Sequence, residues 1–281
     1  MTEILRYAAF TTDPQGGNPA GVVVDATGLS DTDMQNTAAD VGYSETAFLV
    51  PRQTPGEYGV RYFAPAAEVP FCGHATIAAA VALAERGAPS NLLFHTKAGD
   101  VRIAVTSTDG HSRATLTSVP PHVTDVDDAL TTQILAALNW HANDLDPTLP
   151  AKVAYAGARH LVLVAATRTR LADLHYDFDA LRALMEANEL TTVQLAWRET
   201  PLVHHVRDPF PVGGVVEDPA TGAAAAAYGA YLRALRAVEP PVTLTLHQGT
   251  DMGRPSLLVV DVTEGDNTPI RVSGTAVPIP Y

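Results

Sequence analysis

Short segments of this 281-residue chain bring together side chains that could do chemistry. Ser44-Glu45-Thr46 sets a carboxylate at the mouth of the apolar run Ala47-Phe48-Leu49-Val50. A carboxylate beside such a strand is partly desolvated, a setting suited to taking and returning a proton. The plainer reading is an exposed glutamate at a strand end. Cys72-Gly73-His74 places a thiol and an imidazole where an alanine-rich segment begins. A neutral, hydrogen-bonding imidazole suits the positive end of a helix. Glu217-Asp218-Pro219-Ala220-Thr221-Gly222 places a carboxylate before a second such segment. There Asp218 reads either as a helix cap or as a group that orients a substrate amine or hydroxyl. His204-His205 is not read as a metal site, because adjacent strand residues point to opposite faces and no third ligand has suitable spacing. No Walker loop, GxGxxG, HExxH or GxSxG pattern occurs.

The elements that must position these residues follow from periodicity. Strands are predicted over 4–10, 21–24, 45–50 and 58–64, with a turn over 13–19. Ser30 with Asp33 forms a capping-box pattern, Met34, Ala38 and Val41 follow at helical spacing, and Gly42 supplies a stop. A helix is predicted over 74–87, apolar all round across 73–84 and so buried on every side, and a second, alanine-rich helix over 222–237. Further helices are predicted over 125–138 and 178–187. Strands are predicted over 91–96, 101–106, 114–117, 153–155, 160–165, 193–197, 202–207, 242–247, 257–262 and 270–273.

The two halves share an ordered pattern. Val60-Arg61-x-x-x-Pro65 precedes Glu68-x-Pro70-x-x-Gly73-x-Ala75, and Val206-Arg207-x-x-x-Pro211 precedes Glu217-x-Pro219-x-x-Gly222-x-Ala224. Gly17-x4-Val22-x-Val24 likewise matches Gly157-x4-Val162-x-Val164. Three matches in one order point to an internal duplication. The fold class expected is α+β, with two pseudo-symmetric domains, each a barrel-like, mostly antiparallel sheet around one buried helix. The domains are predicted as 1–119 plus 270–281, and 120–269. The last strand is assigned to the first domain because it would otherwise leave an edge unpaired. If the two copies face each other, the helix starts at Gly73 and Gly222 converge and offer free N–H groups to a carboxylate. Arg61 and Arg207 are read as contacts to an anionic ligand or, more commonly for strand arginines, as outward-facing side chains.

Composition removes several classes of function. The net charge of −13 repels phosphate backbones and anionic lipid surfaces, so no nucleic-acid or membrane partner is expected. Hydrophobic residues at 46% and charged residues at 17% suit a large core. A single cysteine excludes an intramolecular disulfide and a four-thiolate zinc site. The start, Met1-Thr2-Glu3-Ile4-Leu5-Arg6, lacks signal-peptide character, and the apolar runs 75–84 and 220–232 are too short to span a bilayer. A cytoplasmic globular protein is expected.

Several motifs occur together in order: Gly17-Asn18-Pro19-Ala20, Ser44-Glu45-Thr46-Ala47-Phe48, Cys72-Gly73-His74-Ala75-Thr76, Ala158-Arg159-His160-Leu161-Val162, Glu217-Asp218-Pro219-Ala220-Thr221-Gly222 and Gln248-Gly249-x-x-Met252-Gly253-Arg254-Pro255-Ser256. The ordered set covers essentially the whole chain. It resembles the PhzF-like (phenazine biosynthesis-like) family of the diaminopimelate epimerase and proline racemase superfamily. The resemblance implies a cofactor-free isomerase, often a homodimer, with its active site between two barrel-helix domains. It implies that Glu45 carries a proton between two carbons on one face of a small carboxylic acid, with His74 and Asp218 as further catalytic residues. Gly73, Gly222, Asn18 and the residue after Gly222 are the implied substrate-binding positions. That last position is Ala223, where the family commonly has serine, so a substrate-holding hydroxyl is missing.

Racemases of the superfamily use two thiols, one for each substrate face. Here the second copy has no thiol, so two-thiol racemisation within one chain is excluded and Cys72 is read as a small buried residue. Rival readings are a lyase or dehydratase using Glu45 or Cys72 as base, and a catalytically silent metabolite-binding protein.

Overall fold

The structure is a computed structural model that describes residues 2–108 and 110–280. Contacts divide the chain into two compact units: one runs to Thr117 and resumes at Ser273, and the other is Ser118–Val272.

The first unit begins with β1 (Leu5–Ala9), β2 (Asn18–Val23), α1 (Asp31–Val41), β3 (Glu45–Pro51), β4 (Glu57–Phe63) and the two-residue β5 (Glu68–Val69). It continues through α2 (Gly73–Glu85), β6 (Asn91–Thr96), β7 (Gly99–Thr108) and β8 (His111–Thr117). Ser30 and Asp33 form the expected capping box on α1, and Gly42 ends that helix in the left-handed region. The second unit holds β9 (His122–Asp125), α3 (Asp128–Ala137), β10 (Lys152–Tyr155), β11 (Arg159–Val164), α4 (Arg168–Ala172), α5 (Phe178–Ala187), β12 (Thr192–Arg198) and β13 (Val203–Phe210). It ends with β14 (Val215–Asp218), α6 (Gly222–Ala234), β15 (Val242–Gln248) and β16 (Ser256–Val262), after which β17 (Arg271–Pro278) returns to the first unit.

In the first unit eight strands close a mixed barrel in the order β1, β2, β3, β4, β6, β7, β8, β17 and back to β1. The β2–β3 and β4–β6 pairs are parallel. The helix α2 packs inside, and every residue from His74 to Leu83 is buried. In the second unit β9, β10, β11, β12, β13, β15 and β16 pair in that order, with β11–β12 and β13–β15 parallel. They pack on α6, which is buried from Ala224 to Arg233. Strands come very close to this helix. A Cβ on Gly229 would lie 2.9 Å from Val260, within overlap distance. An alanine-and-glycine helix is what such an approach demands.

Two expectations are corrected. The stretch 125–138 is not one helix: 122–125 is strand β9, and α3 starts only after Asp127, whose side chain caps it by accepting from the Ala129 amide. The last strand runs well beyond 270–273, because Tyr7, Ala8 and Ala9 of β1 need antiparallel partners and find them at Pro278, Val277 and Ala276. The short strands β5 and β14 gave no periodic signal in the sequence.

Those short strands explain Arg61 and Arg207. Each arginine sits on the strand before a short return strand and grips its glutamate with the same two-pronged contact. Arg61 donates through Nε and Nη2 to the two oxygens of Glu68, both at 2.7 Å. Arg207 donates to Glu217 at 2.9 and 2.5 Å, and its remaining nitrogen reaches the Ala172 carbonyl at 2.6 Å. Neither arginine is simply outward-facing, and each is committed to a protein carboxylate. The fork is the strong, geometrically specific form of this ion pair, and it ties down the segment that leads into each buried helix. The Arg61 guanidinium holds the Glu68 carboxyl down at about 2.

The two clamps differ in burial, because Arg207 and Glu217 are both buried while Arg61 keeps 30% of its side chain exposed. Glu217→Gln should therefore lower unfolding free energy by about 3–5 kcal/mol, the cost of stranding one partner of a buried pair. Glu68→Gln should cost about 1 kcal/mol or less. Urea unfolding of the two variants measures the contrast.

Candidate active site

Two of the implied catalytic residues come together in the first unit. Glu45 is the first residue of β3, beside Ala20 in the parallel β2–β3 register. His74 lies in the first turn of α2 with 5% of its surface exposed. Its Nε2 is 3.4 Å from Glu45 Oε2 and 3.3 Å from Ser44 Oγ. The other face of the ring meets Cys72, with Nδ1 3.3 Å from Sγ. Cys72 is buried, as expected, but its sulfur is turned toward the imidazole. The turn itself is fastened by Thr76, whose hydroxyl donates to the Cys72 carbonyl at 2.7 Å and bonds Tyr62 Oη at 2.6 Å.

Asn18, also buried, opens β2 opposite Ala9. The preceding Gly17 has φ +63°, and a Cβ there would stand 2.3 Å from the Ala9 carbonyl oxygen, so only glycine fits. Gly73 is the first residue of α2, where backbone N–H groups lack helical partners.

Asp218, Gly222 and Ala223 belong to the second unit. Asp218 ends β14, and its Oδ2 accepts from the Thr221 hydroxyl at 2.6 Å. Gln248 locks the same turn: its amide nitrogen donates to the Asp218 carbonyl at 2.8 Å, and its oxygen accepts from the Thr221 amide at 3.0 Å. Gly249 allows this arrangement, with φ +71° and space for no Cβ, since one would lie 2.3 Å from the Arg254 carbonyl oxygen. Gly222 begins α6, and Ala223 follows it in the first turn.

Behind Asp218 lies a buried polar group that sequence reasoning missed. Asp208 is directly opposite Asp218 on the paired strands β13 and β14, and it is fully buried. Its Oδ1 accepts from the Thr192 hydroxyl at 2.7 Å, and Thr192 in turn bonds His160 Nδ1 at 2.8 Å. The Gln194 amide nitrogen turns to the same carboxyl at 3.1 and 3.2 Å. Burial pushes the Asp208 carboxyl well up, with Asp218 and Glu217 adding to the rise and the threonine hydrogen bonds opposing it. Burial also drives His160 down to about 3, so its ring is neutral at physiological pH. The only sequence signal was positional: His160 and Gln248 fall inside family motifs, while Asp208 stands where the repeat has Tyr62 in the first copy.

The registers align the two copies residue by residue. Ala20 beside Glu45 corresponds to His160 beside Thr192, both in parallel pairs three residues after Gly17 and Gly157. Aligning Gly73 with Gly222 sets Cys72 against Thr221 and His74 against Ala223. Glutamate, thiol and imidazole in one copy thus correspond to two threonines and an alanine in the other.

Comparison with known proteins gives the family and the fold. The family model described as "Phenazine biosynthesis-like protein" matches residues 7–280. The chain belongs to the phenazine biosynthesis-like, or PhzF, family. Among curated family members, an uncharacterized isomerase of Escherichia coli K12, YddE, is 33% identical over 98% of this chain and 95% of its own length. The trans-2,3-dihydro-3-hydroxyanthranilate isomerase of Pseudomonas chlororaphis is 31% identical over 99% of this chain and 97% of its own. A PhzF-family crystal structure from Bacillus anthracis superposes with a TM-score of 0.90 at 26% identity, covering 99% of this chain and 97% of that one. A probable proline racemase from Agrobacterium radiobacter shares the fold alone, with a TM-score of 0.67 at 14% identity over 99% and 91% of the chains. The protein is an isomerase of the PhzF family. No helix among the described residues is long and apolar enough to cross a membrane.

The raised Asp208 carboxyl gives a pH test. A carboxyl that binds its proton more tightly when folded makes stability fall as pH rises from its ordinary value, about 3.9, toward the raised one. Asp208→Asn keeps the shape without the charge. It should be as stable as wild type or more so at neutral pH, with a flatter fall of stability above about pH 4, read by urea unfolding across that range.

Proposed function

We propose that the protein catalyses a same-face proton shift on a small carboxylic acid, with Glu45 as the one group that takes the proton and returns it. The observation that carries this reading is the asymmetry of the duplicated scaffold. A two-base racemase needs an acid/base group on each side of its substrate. Here the position equivalent to Glu45 is Thr192, and those equivalent to Cys72 and His74 are Thr221 and Ala223. One carboxylate acting twice on one face needs no second copy of itself.

In this mechanism Glu45, with 16% of its side chain exposed, withdraws a proton from an acidic or allylic C–H. His74, whose ring is also contacted by the Ser44 hydroxyl, holds the carboxylate through Nε2. Glu45 then returns the proton to a second carbon, shifting a double bond without net loss or gain of atoms. Gly73, Gly222 and Asn18 bind the substrate carboxylate and its neighbours, and Asp218, steadied by Thr221, orients a second polar group. The named activity of the Pseudomonas chlororaphis relative makes dihydro-hydroxyanthranilate-type acids the first compounds to try. Ala223 argues for a different side group on the natural substrate, since position 223 carries no hydroxyl. The reading includes a cytoplasmic homodimer that uses no cofactor and takes part in a biosynthetic process.

The test is a screen of small carboxylic acids in D₂O for deuterium wash-in, followed by variants on the substrate found. Glu45→Gln should lower exchange by about 10²–10⁴-fold, as expected for loss of a general acid–base group, with little change in ligand affinity. Near wild-type exchange in that variant would move the base elsewhere, with Asp218 next in line. Loss of water from the substrate in place of deuterium wash-in would favour a dehydratase.

In the same assay Cys72→Ala should retain most activity, because no partner thiol exists in the second copy. Complete loss of turnover in a folded Cys72→Ala protein would support a cysteine base.

A further inference from the structure

We propose that Glu45, Cys72 and His74 form a three-ligand site for a soft divalent transition metal of the Zn²⁺ type. The three side chains present a carboxylate oxygen, a sulfur and an imidazole nitrogen, with all three ligand atoms within 4.8 Å of one another. His74 Nε2 lies 3.4 Å from Glu45 Oε2 and 3.8 Å from Cys72 Sγ. Zinc bonds of about 2.0–2.3 Å at tetrahedral angles give ligand–ligand edges of about 3.3–3.6 Å. Two edges of the triangle are close to those dimensions and the third, from Glu45 to Cys72, is within 4.8 Å, so side-chain turns can bring the three ligands into a coordination shell.

Charge and chemistry agree with the geometry. Carboxylate and thiolate together balance a divalent ion, and the imidazole ligates as a neutral group. Ligation displaces the thiol proton to solvent, so one proton leaves for each metal bound. Sulfur and imidazole select Zn²⁺ or Co²⁺ over Mg²⁺ and Ca²⁺, which prefer shells of oxygen. Three protein ligands leave one tetrahedral position open, as in exchangeable rather than closed structural sites. A metal held there occupies the oxygen that Glu45 needs for proton transfer, so it acts as a reversible inhibitor. That consequence rests on the proposed role of Glu45, whereas metal binding itself does not. The ligands come from a strand start and a helix start far apart in sequence, a spacing that matches no linear metal motif.

The single cysteine makes the test decisive. Titration of the whole protein with Co²⁺ should give a thiolate-to-cobalt charge-transfer band in the near ultraviolet at one ion per chain, and Zn²⁺ should abolish it. Such a band can arise only from Cys72. Cys72→Ser should remove the band and weaken Zn²⁺ binding, measured by calorimetry, by at least the 10–100-fold that even outer-shell partners contribute. His74→Gln should weaken it comparably. The control is His205, which stacks on His247 at 5.1 Å and contacts Glu199 at 2.7 Å, a histidine with carboxylate and imidazole neighbours but no thiol. His205→Gln should leave the band and the tight Zn²⁺ site unchanged. The proposal is overturned if wild type gives no thiolate–cobalt band, if Zn²⁺ affinity is the same in Cys72→Ser, or if it is lost in His205→Gln. Should Cys72→Ser fail to fold, the wild-type band decides alone. Deuterium exchange with and without Zn²⁺ then tests the inhibition separately from the binding.

Discussion

A helix with no polar face has one stable environment, and both central helices of this protein are of that kind. From His74 to Leu83 every residue of α2 is buried, and half are alanine. Such a helix cannot lie on a surface. In the first unit the sheet closes around it, with the C-terminal strand supplying the last pairing between β8 and β1. Small side chains let the strands approach, and Gly229 shows how little space remains around α6. Once the helix axis is set inside the sheet, its first turn can stand only at the open end. Cys72, Gly73 and His74 occupy that turn, and the start of β3 brings Glu45 to within 3.4 Å of the imidazole.

The route into each helix is held by an arginine–glutamate fork repeated in both copies. In the second unit the fork is buried and shares its surroundings with Asp208, Thr192, Gln194 and His160. Buried polar groups of this number need mutual hydrogen bonds, because each unpaired one costs desolvation energy without return. The network gives Asp218 a defined position, through Thr221 and Gln248 on one side and its cross-strand neighbour Asp208 on the other. The scaffold and the clamps are alike in the two copies, while the side chains at the helix starts and strand starts differ. One copy carries glutamate, thiol and imidazole, and the other holds hydroxyls, a methyl group and a fixed aspartate.

Much of this was legible before any coordinates. The all-apolar helices, the capping box at Ser30 and the helix at 178–187 follow from local physics that acts within one or two turns. The duplication follows from ordered matches, and the family from motifs spread over the chain. Both short return strands escaped notice, since two to four residues carry no periodicity. The start of α3 was misplaced because Asp125 and Asp127 are both plausible caps, and pairing with β10 takes the former into a strand.

Residue types and their order determined the architecture and the family, because burial of apolar faces and the conformational needs of glycine at positions such as Gly17 are local or additive constraints. Only tertiary structure decided which polar groups meet. The fork from Arg207 to Glu217, the acid at Asp208 and the contact of Cys72 with His74 depend on strand register and on the rotation of a helix about its axis. A shift of one residue in a strand turns a side chain to the opposite face, so distances of 3–4 Å between distant segments are set by the packing of the whole unit and by nothing in the local sequence.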